Sequence, residues 1–70
     1  MTGTLDLALI AAHARHDGPA LVRLYAEAAE AAHDVDAACF FLTHAYVYAL
    51  ELGHPHTDAL YARLAAQGRV

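Results

Sequence analysis

Histidine is the reactive residue type this chain uses most: His13, His16, His33, His44, His54 and His56 are six of 70 residues. An imidazole ligates metals, relays protons and changes charge near neutral pH. His13 and His16 stand three residues apart, and Asp17 stands four after His13. On a helix these spacings share one face. His13, His16 and Asp17 are therefore the candidate metal ligands. His54 and His56 flank Pro55 and offer two more ring nitrogens in a turn. No His-Glu-x-x-His, cysteine pair or paired Cys/His spacing accompanies them, and those are the marks of a dedicated zinc site. A surface or helix-end histidine is the commoner role for each, and His16 near a helix C terminus suits the dipole. No cofactor is expected.

The other reactive groups read as structural. Cys39 lies beside Phe40 in the most apolar stretch, and His44, five residues on, does not face it on a helix. A nucleophilic thiol needs a nearby base, so Cys39 is expected to be a buried packing residue. Glu27, Glu30, Asp34 and Asp36 contain possible acid pairs, but Arg23 stands four before Glu27, which suits a solvated ion pair. Gly3, Gly18, Gly53 and Gly68 are isolated, so no phosphate-binding loop exists. Four Arg and no Lys stand against eight acids, a net charge of −4. That balance excludes nucleic-acid binding through a basic patch and a polybasic membrane anchor. Tyr25, Tyr46, Tyr48 and Tyr61 are then packing residues rather than a base-stacking platform. No catalytic residue emerges, and the chain reads as a non-enzyme.

The elements that carry these residues are helical. Eighteen residues are Ala, the best helix former but one that buries little area. The 59% hydrophobic content therefore signals close-packed helices more than a large core. Breakers divide the chain into four antiparallel helices, about 5–16, 19–33, 36–52 and 55–67, arranged as two stacked helical hairpins in one domain, 1–70, with frayed ends. Thr4 is the expected N-cap of the first. Gly18 suits its left-handed end, and Pro19 suits the start of the second. Asp34 or Asp36 caps the third, Gly53 ends it, Pro55 opens the fourth and Gly68 closes it. The third helix carries Phe40, Phe41, Leu42, Tyr46, Val47, Tyr48, Leu50 and Leu52. A helix apolar almost all round is covered on more than one side, which places it at the centre. Leu5–Ala12 is apolar, but no cation precedes it, so it lacks the charged front of a signal peptide. No stretch approaches the ~20 apolar residues of a membrane span. One cysteine fits a reducing, cytoplasmic setting.

Tyr46-x-x-Ala49-Leu50-x-Leu52 resembles the end of the second helix of a tetratricopeptide repeat, with Pro55 one residue after the family's helix-ending proline. In that register the turn inside the repeat falls at Asp34–Asp36. The resemblance spans about residues 23–55. The family prefers a large aromatic, Leu, Gly and Tyr where this chain has Ala26, Ala29, Glu30 and His33. It implies a helical-hairpin stack of protein-binding type and transfers no site residue.

The expectation is an interaction module with a protein partner, or a second copy as a homodimer, and with neither nucleic acid nor membrane. Phe40 and Val47, flanked by His44 and Tyr48, form the candidate surface, because a four-helix monomer leaves that stripe uncovered. The alternative is a histidine-based metal-binding or pH-responsive protein.

Overall fold

The computed structural model describes residues 2–69, with side-chain environments for 5–69. Four helices follow in order: α1 (Thr2–Ala14), α2 (Gly18–Ala31), α3 (Val35–Leu52) and α4 (Thr57–Ala66). No strand occurs among the described residues.

Three of the four helices stop by the same device. After α1, the Asp17 N–H donates to the Ala12 carbonyl at 2.9 Å and the His16 N–H to His13 at 3.1 Å. This double closure needs a left-handed residue. It is His16, at φ 54°, not Gly18. Gly18 instead opens α2, where a Cβ would stand 2.8 Å from the Leu52 side chain. Gly53 (φ 64°) and Gly68 (φ 70°) end α3 and α4 with the same paired bonds, as their sequence positions lead one to expect. α2 ends differently, in an extended Ala32, so it stops short of His33.

The helix starts are set by side chains. α2 begins where the Ala20 N–H donates to Asp17 Oδ1 at 3.2 Å, with Pro19 in the first turn. α3 begins where the Ala37 N–H donates to Asp34 Oδ1 at 2.8 Å, which selects Asp34 over Asp36 as the cap. α1 begins at Thr2, so Thr4 lies inside it rather than capping it. α4 begins at Thr57, and Pro55 belongs to the preceding turn. There the His56 N–H donates to His54 Nδ1 at 3.0 Å, and the Thr57 hydroxyl to the His54 carbonyl at 2.7 Å. That local pairing delays the helix by two residues. At the ends, Gly3 is helical and Arg69 pairs with Asp36, while Met1 and Val70 lie outside the described residues.

The helices pack in chain order. α1 lies against α2, α2 against α3 and α3 against α4, and the α2·α3 interface is the most extensive. The two hairpins are thus joined through the helices at their junction. Two core clusters result. Ala12, Ala20, Leu21 and Leu24 seal α1 to α2. Val22, Ala29, Cys39, Leu42, Ala45, Ala49, Leu60 and Leu64 join α2, α3 and α4. Alanines at the helix contacts let the backbones come close without large side chains.

The result is a slab measuring 31 × 29 × 12 Å. In so thin a body every helix keeps an outer face. α3 shares the middle with α2 and is covered on two sides only. By length and composition alone, its 18 residues are apolar enough to cross a membrane, which corrects the expectation that no stretch approaches such a span. A core helix of a globular protein satisfies the same criterion.

Candidate functional site

The uncovered face of α3 is the one that carries Phe40 and Val47. Phe40 is 59% exposed and Val47 45%. Asp36, Thr43 and Glu51 border them. The reason is rotational: Cys39, Leu42, Ala45 and Ala49 turn into the core, and at 100° per residue Phe40 and Val47 then point away from it. Leu50 and Leu52 are also exposed, which the sequence did not single out. On α1, Leu7 and Ile10 are exposed, while Leu5 and Leu9 pack against the first core cluster.

His44 and Tyr48 root this face in the rest of the molecule. Both are half-buried. The His44 Nδ1–H donates to the Phe40 carbonyl at 2.9 Å, which fixes the tautomer. Its ring lies 4.6 Å from Phe40 on one side and is stacked 5.0 Å from Tyr25 on the other. Tyr25 also stacks on Tyr48, and its hydroxyl is hydrogen-bonded to His13 Nε2 at 3.0 Å. His13, from α1, meets Tyr48 edge-on. A continuous aromatic row thus crosses α1, α2 and α3. Burial, and secondarily the neighbouring Tyr48, hold the Tyr25 hydroxyl above its ordinary pKa of 10.0.

A shallow depression of about 320 Å³ lies beside Phe40, lined by Thr43, His44, Val47, Tyr48 and Glu51. Four of these, His44, Val47, Tyr48 and Glu51, stand at i, i+3, i+4 and i+7.

The candidate metal ligands are not brought together. His13 is turned onto Tyr25. Asp17 accepts from the Ala20 N–H and from Arg15, and those bonds hold its carboxyl below the ordinary carboxylate range, the Ala20 amide contributing most. His16 sits at the left-handed helix end. The three share a sequence spacing but not a helix, because α1 stops at Ala14. No group of three His, Cys, Asp or Glu able to hold a metal exists among the described residues.

The acidic residues also find partners. Glu27 pairs with Arg23 and Glu30 with Arg63, each at 3.3 Å. With Val22, Ala26, Leu60 and His54 these carboxylates line a groove of about 640 Å³ between α2 and the start of α4. Cys39 is buried at 3% exposure, as its apolar surroundings imply.

The chain matches no protein-family model, no curated protein and no solved structure.

Proposed function

We propose that this protein is a small, non-enzymatic interaction module that associates with a second copy of itself through the outer face of α3. The observation that carries this reading is the exposure of Phe40 and Val47 on the same face of a helix already packed on two sides. Exposed apolar side chains grouped on one face mark association surfaces. His44 and Tyr48 belong to the same surface and hold it rigid through Tyr25. The likeness of Tyr46–Leu52 to a tetratricopeptide helix end agrees with a protein-binding role. Light scattering across a micromolar concentration range tests the reading. A dimer is expected, and Phe40→Asp should return it to monomer with the helical circular dichroism unchanged. A wild-type chain that stays monomeric at every concentration overturns it.

A further inference from the structure

Three histidines among the described residues hold a ring nitrogen in a hydrogen bond, and a proton affects each differently. His13 Nε2 meets the Tyr25 hydroxyl, which can donate or accept, so this bond outlasts a change of charge. His44 already donates to the Phe40 carbonyl through Nδ1–H, and protonation leaves that donor in place. His54 is the exception. Its Nδ1 accepts the His56 N–H at 3.0 Å, so the ring is neutral with its proton on Nε2. A proton on Nδ1 would face another N–H, and the bond would be lost. The His54 carbonyl meanwhile accepts from the Thr57 hydroxyl at 2.7 Å and from the Thr57 N–H at 3.1 Å. The three bonds that lead into α4 thus end on one residue.

We propose that His54 is a pH-dependent latch on α4, closed while its ring is neutral and released when Nδ1 takes a proton. Two neighbouring features act in the same direction. The His56 ring lies 4.8 Å from the His54 ring, so two imidazolium ions there repel. His56 is also the N-cap of α4, where a positive charge opposes the helix dipole. α4 has 10 residues and no side-chain bond at that cap. It is shorter than the roughly 12–15 residues an isolated helix needs, so its first turn depends on the latch and on the buried Leu60 and Leu64. From α2 and its cap, Asp17, Arg23, Glu27 and Glu30 line the groove that His54, His56 and Leu60 share. Asp17 pairs with Arg15, Glu27 with Arg23 and Glu30 with Arg63, so that wall has little net charge to hold an imidazolium in place. Glu51 and Asp58 flank the turn within four residues and stay near His54 whether it is open or closed. The closed turn accordingly binds fewer protons than the open one, and it opens as pH falls through the ordinary histidine value of ~6.5. The turn closes one end of the groove of about 640 Å³, so entry to that groove becomes pH-dependent.

The Leu60 N–H, bonded to the His56 carbonyl at 3.0 Å, reports on the first turn of α4. In the full chain its hydrogen-exchange protection should fall at least threefold between about pH 7.5 and about pH 5, the worth of one hydrogen bond. Light scattering at both pH values selects a concentration at which the association state is the same. His54→Asn supplies an oxygen that accepts the same N–H two residues on and does not titrate, so its protection should be equal at both pH values. His54→Ala should be poorly protected at both. Long-range proton–nitrogen NMR should find the Nε2–H tautomer of His54 at the higher pH. Constant protection in the wild-type chain overturns the latch. So does an equal fall in His54→Asn, an Nδ1–H tautomer, or His54→Ala protection equal to wild type at the higher pH.

Discussion

The rings of Tyr25 and Tyr48 lie stacked, 6.0 Å apart and within 12° of parallel. Both pack against each of the two core clusters. The pair therefore ties the α1·α2 core to the α2·α3·α4 core, and it backs the α3 surface through His44. Such a position couples stability to the shape of the outer face.

Tyr25→Ala is expected to cost about 2–3 kcal/mol, below the 3–5 of a fully buried aromatic because Tyr25 is half-exposed. Tyr25→Phe keeps the stacking and loses only the hydroxyl bond to His13, so about 1 kcal/mol or less is expected. Urea unfolding of both variants measures the difference. Equal losses would place the effect in the hydroxyl rather than in the stack.

The raised Tyr25 pKa has a defined sign. The unfolded chain ionises this phenol first, so its contribution to stability is intact below the ordinary value of 10.0 and is lost as pH rises through the folded pKa. Phenolate absorbance should show the last-titrating tyrosine disappear in Tyr25→Phe. Retention of that step in the variant assigns it elsewhere.

Asp17 behaves in the opposite sense. Its folded pKa is depressed below 3.8, so its cap stabilises the chain above that pH and is lost as pH falls through the folded value. Asp17→Asn should leave stability independent of pH at this position, while still offering an oxygen to Ala20. Acid titration of thermal stability in the two proteins checks the slope. At the other cap, Asp34→Ala should cost about 1 kcal/mol through the lost Ala37 bond.

Two glycines should respond differently to Ala. Gly53 has φ 64° with nothing near its Cβ position, so Gly53→Ala should cost about 1–2 kcal/mol by backbone strain alone. Gly18 meets only the end of the exposed Leu52 side chain. Leu52 can turn aside, and Ala gains up to about 1 kcal/mol in helix propensity. Gly18→Ala should therefore be near neutral. Thermal unfolding compares them, and a larger loss at Gly18 would mean that Leu52 is pinned.

The sequence by itself determined the four helices and about half of their ends. Alanine content, glycine stops and Asp caps act within a few residues, so local physics suffices to place them. It missed the first helix's end because His16 takes a left-handed conformation that Gly18 was better suited to hold. It set Pro55 too early because the His54–His56 pairing is a turn interaction no spacing rule contains. The burial of Cys39 and the exposure of Phe40 followed from the helical period once α3 was placed. What only the tertiary structure decided was which residues meet. Tyr25, Tyr48, His13 and His44 come from three helices, and helix periodicity carries no information across a turn. Chain-order packing into a 12 Å slab decided the rest: it turned His13 onto Tyr25 and set α2 beside α3 in the middle.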